Sequence, residues 1–187
     1  DKVYLIFKNH FINSGIKHIE ILKDMQRYAE YYSWMLNATC SDNDNKDEIH
    51  GYIKFFNLLK TDDLYPLYMI LFERLYNNDR KELKKILNLL CDFMLRYRIV
   101  SPSGGGGALR TAIHTLLDKI SNNNINITYD DILFELSNSS TPANRFPDDD
   151  DFKQTLKNAV NITYARALLY KMEQVETKNI PVPIDKV

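Results

Sequence analysis

Four consecutive glycines, Gly104 to Gly107, stand just ahead of a helical pattern, with Arg110 one turn further on. Backbone N–H groups gathered at a helix N-terminus hold anions, so this run is the first candidate for a phosphate cradle. A P-loop needs Lys and then Ser or Thr after its glycines. Ala108 and Leu109 follow here instead, and the run reads as a flexible loop between helices. The second chemistry-bearing group is a set of cations: Arg74, Arg80, Lys81, Lys84, Lys85, Arg96, Arg98 and Arg110, against Glu73, Asp79, Glu82 and Asp92. Lys84, Lys85, Arg96, Arg98 and Arg110 are the candidate contacts for an anion or for DNA, because neutralising phosphates drives sequence-independent nucleic-acid affinity. The alternative for the same residues is a solvated helix face laced with pairs such as Glu82 and Lys85.

Other chemistries find less support. His10, His18, His50 and His114 show no ligand spacing with cysteine or acidic partners, and Cys40 and Cys91 lie far apart, so no metal is expected. Arg110 and His114 resemble the Arg–His pairing of HEPN-type helical ribonucleases, but three intervening residues fall short of that family's four to six, and the match is read as chance. No serine or cysteine sits in a nucleophile elbow, and no paired carboxylates are spaced as acid and base. Asp148 to Asp151 lack the alternating ligands and loop glycine of a calcium site, and suit a helix N-terminus better.

Composition bounds the rest. The chain has 187 residues, 24 basic against 25 acidic, and is 44% hydrophobic. That excludes a disordered chain and a histone-like basic protein. Two cysteines build no disulfide framework, which suggests a reducing compartment or redox indifference, and a cytoplasmic location is expected. No apolar run reaches the length of a membrane span. The chain opens mid-pattern at Asp1-Lys2-Val3-Tyr4 and stops at Pro183-Ile184-Asp185-Lys186-Val187, and is expected to be a piece of a longer protein.

Glycine and proline number only six each, leaving long stretches with helical periodicity. Between Gly15 and Ala38, Ile16, Ile19, Leu22, Met25, Ala29, Tyr32, Met35 and Leu36 recur every three or four residues and are expected inward. Further helices are expected on Ile49, Ile53, Phe56 and Leu59; on the all-round apolar run Leu67 to Phe72, capped by Asp62 or Asp63 and placed at the bundle centre; and from Asp79 to Arg98. Others follow from Ala108 to Ile120, after Thr128 as N-cap with Asp131 at the capping-box position, after Asp148, and from Asn161 to Thr177. In the last of these Ala165, Leu168, Leu169, Met172 and Val175 are expected inward. The pattern predicts an all-α domain, an irregular bundle of eight or nine helices over residues 1–187, with a possible subdivision near residues 101–107. The tyrosines near Tyr31 and Tyr68 read as core rather than as base-stacking platforms.

Three stretches resemble one family. Leu95-Arg96-Tyr97-Arg98-Ile99-Val100 looks like the Arg-rich end of a long helix, and Arg145-Phe146-Pro147-Asp148-Asp149-Asp150-Asp151-Phe152 looks like an R-x-P-x-D-x-x-F element. Ala167-Leu168-Leu169-Tyr170-Lys171-Met172-Glu173 looks like the helix that leads to a nuclease domain. Together they are similar to the central helical region of GmrSD-type restriction proteins. The resemblance implies a ParB-like nucleotide-hydrolysing domain before the helices and an HNH nuclease domain after them. It also implies a structural part for Arg145, Pro147 and Phe152, with Arg96 and Arg98 bonding helix termini. Neither of that family's catalytic motifs occurs in this chain, so no catalytic residue and no cofactor carry over.

The expected function is therefore a helical coupling domain of a multidomain, phage-defence restriction protein, without catalysis of its own. Its partners would be the flanking domains, with DNA or a second subunit as further contacts. A nucleic-acid-binding module using the Arg74–Arg110 region and an unrelated helical protein–protein scaffold are the alternatives.

Overall fold

A computed structural model of the chain describes residues 15–38, 48–101, 106–138, 146–158 and 162–176. These form eight α-helices and one 3-10 turn, with no strand among the described residues, as the periodicity predicts. In chain order they are α1 (His18–Asn37), α2 (Glu48–Leu58), the 3-10 turn (Asp62–Leu64), α3 (Tyr65–Leu75), α4 (Arg80–Val100), α5 (Gly106–Ser121), α6 (Tyr129–Ser137), α7 (Asp149–Asn158) and α8 (Ile162–Glu176). The segments around Cys40, Gly104 and Arg145 lie outside the described residues.

The helix starts follow from local chemistry. Asp79 caps α4, its carboxylate accepting the Glu82 N–H at 2.9 Å. Thr128 caps α6 by accepting the Asp131 N–H at 3.2 Å, and Asp148 Oδ1 accepts the N–H groups of Asp150 and Asp151 at the start of α7. Each satisfies donors the helix leaves unpaired and puts negative charge at the positive end of the dipole. The start of α3 differs from expectation. Asp62 and Asp63 open the 3-10 turn instead, and α3 begins at Tyr65 with Pro66 in its first turn and no side-chain cap. Asp63 is not free to cap because its carboxylate goes to Arg110.

The centre of the bundle is α4, not α3. Leu83, Ile86, Leu87, Leu90, Met94 and Tyr97 are buried as expected, and Leu89, Cys91, Phe93, Leu95 and Ile99 join them. A single stripe cannot hold so many residues. They wrap the helix because α2, α3, α6, α7 and α8 all pack against it. On the shorter α3, Leu67, Tyr68, Leu71 and Phe72 are buried while Met69 and Ile70 are only half-buried. Full burial of each such side chain contributes about 1.5–3 kcal/mol, so α4 carries the largest share of the core.

Two helices present a different face from the one expected. On α1 the buried residues are Ile21, Tyr31, Trp34 and Met35, while Ile19, Leu22, Met25, Tyr32 and Leu36, with Ile16 just ahead of the helix, are between 40% and 60% exposed. The cause is aromatic: Trp34 packs on Tyr31, Phe72 and Tyr76 with ring centroids 5.0–5.7 Å apart, and this cluster turns the opposite apolar stripe outward. Tyr31 also donates to Glu73 of α3 at 3.1 Å, and Arg27 Nε lies 2.8 Å from the same carboxylate. On α8, Ala167 and Tyr170 face the core, with Lys171 reaching α4, while Leu169, Met172 and Val175 are 52–77% exposed.

Candidate functional site

The long central helix is tied to its neighbours by polar side chains, and most of the sequence-derived candidates are among these ties. At its N-terminal end Glu82 accepts the Tyr129 N–H at 2.6 Å, which caps α6 from outside, while its other oxygen lies 2.8 Å from Lys85 Nζ. Those two donors hold the Glu82 carboxyl below its ordinary pKa, the Lys85 bond first, and Lys85 is raised in turn. Further along, Asn88 and Asp92 receive Lys171 of α8 at 2.9 Å and 3.0 Å, and the same ammonium stands 5.5 Å from the Phe55 ring.

Arg96 forms the densest tie. Its Nη1 lies 2.6 Å from Asp149 Oδ1 and 3.4 Å from the Pro147 carbonyl oxygen, and its guanidinium stands 5.0 Å from the Phe152 ring and 5.7 Å from Phe146. The planar guanidinium thus pairs with a carboxylate along its edge while its carbon lies near two aromatic rings, geometry an ammonium cannot reproduce. Arg96 holds Asp149 below the ordinary aspartate range. Arg98, two positions on, donates to the Lys60 carbonyl at 3.0 Å and so closes the turn after α2. Both arginines bond helix termini. Pro147 and Phe152 belong to the same junction, and Arg145 lies outside the described residues.

The remaining candidates do not converge with these. Arg110 is paired with Asp63 at 2.7 Å, joining α5 to the 3-10 turn. Lys84 is half-buried on α4. Gly106 and Gly107 already belong to α5, so the helix begins two residues earlier than expected, while Gly104 and Gly105 are outside the described residues. Among the described residues no three of His, Cys, Asp and Glu gather as a metal site, and no helix is long and apolar enough to cross a membrane. Cys91 is buried and its thiol is pushed well above its ordinary pKa by desolvation, the opposite of an activated nucleophile.

The feature missed in the sequence is the outer face of α1. Leu22, Met25, Ala29, Tyr32 and Leu36 alternate at spacings of three and four, the heptad seam of a helix that meets another helix. On α8, Ala165, Leu168, Met172 and Val175 repeat the same spacing. The signal is present as spacing, but spacing alone does not distinguish an outward stripe from one that faces the core. Comparison of the chain with protein-family models, with curated proteins and with solved structures finds no match in any of the three.

Proposed function

We propose that this chain is a helical coupling domain without catalysis of its own, one that holds other domains or chains against its outer helices. The observation that carries this reading is the exposure of heptad-spaced apolar residues on two helices: Leu22, Met25, Tyr32 and Leu36 of α1 and Met172 and Val175 of α8 are 46–77% exposed. A stripe of that spacing exposes apolar area to water until a helix covers it, and with Arg96, Arg98 and Arg110 engaged at the chain's own helix junctions the stripes are the surfaces open to a partner. The narrower assignment, to a DNA-restriction protein with a nucleotide-hydrolysing domain before the bundle and an HNH nuclease after it, rests on the three sequence stretches alone. The engagement of Arg96 and Arg98 at helix junctions is consistent with a rigid spacer.

Two measurements test the reading. Incubated with duplex DNA or with nucleoside triphosphates and magnesium, the chain is expected to give neither strand cleavage nor phosphate release; turnover abolished by a point substitution would overturn the proposal. In a parent protein carrying both activities, Met172→Glu with Val175→Glu is expected to uncouple nucleotide hydrolysis from DNA cleavage, and unchanged coupling would remove the domain-coupling role.

A further inference from the structure

We propose that Met25 and Met172 are sites of reversible oxidation, where hydrogen peroxide turns both apolar stripes polar while the bundle stays folded. The inference rests on the coupling reading only for the use made of those stripes. Its test needs no partner, so its failure and the failure of that reading are distinguishable. The chain has five methionines, Met25, Met35, Met69, Met94 and Met172. A thioether has no proton to lose before it reacts, so access of the oxidant to sulfur ranks them. Met25 and Met172 are each 52% exposed, Met35 and Met94 are fully buried, and Met69 is half-buried. Met25 and Met35 belong to the same helix, one outward and one in the core, so α1 carries its own internal comparison.

The step is a two-electron oxidation. The sulfur lone pair attacks one peroxide oxygen, and an S–O bond forms as the O–O bond breaks. The hydroxide that leaves takes the proton of the transferred oxygen and departs as water, so the thioether becomes a sulfoxide and the peroxide is reduced. On its stripe Met25 lies between Leu22 and Ala29, and Met172 lies between Leu168 and Val175. One oxygen on each helix therefore puts a polar, hydrogen-bond-accepting group in the middle of an apolar row. Because both side chains are half-exposed, the new S=O is hydrated and the core gains no unpaired polar group. The same oxygen on Met35 or Met94 would lie in the core and destabilise it. Cys91 does not compete for the oxidant, since it is buried and its desolvation suppresses the reactive thiolate.

Peroxide treatment of the Cys40→Ser chain, followed by peptide mass mapping over time, reads the outcome. The first two oxygens are expected on Met25 and Met172, each arriving at least about tenfold faster than on Met35 or Met94, with Met69 between. The doubly oxidised chain should keep the far-UV circular dichroism of the parent and leave a phenyl hydrophobic-interaction column earlier. Methionine sulfoxide reductases of both epimer specificities, supplied with a thiol reductant, should restore mass and retention together. Met25→Leu with Met172→Leu keeps the stripes apolar without the thioethers, and its retention should not respond to peroxide. Oxidation of Met35 or Met94 as fast as Met25 overturns the proposal. So does loss of helical signal with the first two oxygens, or unchanged retention of the doubly oxidised chain.

Discussion

Arg96 Nη1 lies 2.6 Å from Asp149 Oδ1 although fifty-three residues separate the two in the chain. The contact brings the end of the central helix to the first turn of α7, and its surroundings make it more than a surface ion pair: the Pro147 carbonyl and the Phe146 and Phe152 rings meet the same guanidinium. α7 has no fully buried residue of its own, so its attachment depends on this junction and on half-buried Phe152 and Leu156.

Arg96→Ala should therefore release α7 while leaving the rest of the bundle folded. The loss of the aromatic contacts costs about 1 kcal/mol, and Arg96→Lys recovers only part of it, because an ammonium lacks the planar face. Amide hydrogen exchange checks this: protection should fall in α7 and persist in α4. The pH dependence carries a sign. A carboxyl held low by Arg96 stabilises the fold above the ordinary aspartate range, and that contribution disappears as pH falls through the lowered value. α7 should loosen on acidification in the parent, and Arg96→Ala should flatten that response.

Glu82 offers a second acid-sensitive junction, at the other end of α4. Its carboxylate is held low by Lys85 and by the Tyr129 N–H, so it stabilises above the ordinary glutamate range and is lost as pH falls through the lowered pKa. Glu82→Gln keeps an acceptor for Tyr129 but loses the charge; a cost of about 1 kcal/mol is expected. Urea unfolding at neutral pH and at a pH below the ordinary glutamate range decides it: the gap between parent and variant should close as the pH drops through the lowered pKa.

What the sequence disclosed divides along chain separation. The caps at Asp79, Thr128 and Asp148 were predictable because a cap and its N–H donor are two or three residues apart. The buried stripe of α5 was predictable because that helix has one dominant apolar direction. On α4 periodicity finds six of the eleven buried residues, and the other five are set by the neighbours packed around it. α1 and α8 have two apolar directions, and periodicity cannot rank them: Leu22, Met25, Ala29, Tyr32 and Leu36 are spaced as well as Ile21, Tyr28, Tyr31 and Met35. The choice was made by Phe72 and Tyr76, which lie far along the chain and pack on Trp34. The candidate cations were found by type, but their partners, Asp149 for Arg96 and Asp63 for Arg110, lie 53 and 47 residues away and left no trace in spacing.

The two faces of α1 separate cleanly by mutation. Met35 is fully buried, and Met35→Ala should cost about 2–5 kcal/mol. Leu22→Ala on the outer face should change stability by less than about 0.5 kcal/mol. Equal losses at the two positions in denaturant titrations would refute the orientation of α1 described above.

Cys91 should behave as a reporter of global opening. Its thiol is fully buried on the central helix and its pKa is raised by desolvation, so the reactive thiolate is scarce in the folded state. In a Cys40→Ser background, a thiol reagent at neutral pH should label Cys91 no faster than the bundle unfolds, and the labelling rate should rise with denaturant along the unfolding limb. Rapid labelling in the absence of denaturant would mean that α4 is less enclosed than its packing indicates.

Lys60 marks a place where the backbone itself can be improved. Its φ of 53° lies in the left-handed region, and the bonds from the Thr61 N–H to the Phe56 carbonyl and from the Lys60 N–H to the Asn57 carbonyl form the Schellman closure of α2. A side chain in that conformation is penalised by about 1–2 kcal/mol where glycine is not, and glycine returns part of the difference through its freer unfolded chain. Lys60 is exposed, and it is its carbonyl, not its side chain, that receives Arg98, so truncation leaves that bond in place. Lys60→Gly should thus raise stability by about 0.5–1 kcal/mol, and Lys60→Val, β-branched in the same conformation, should lower it. Thermal unfolding of the three chains side by side gives the order directly: glycine above lysine, lysine above valine.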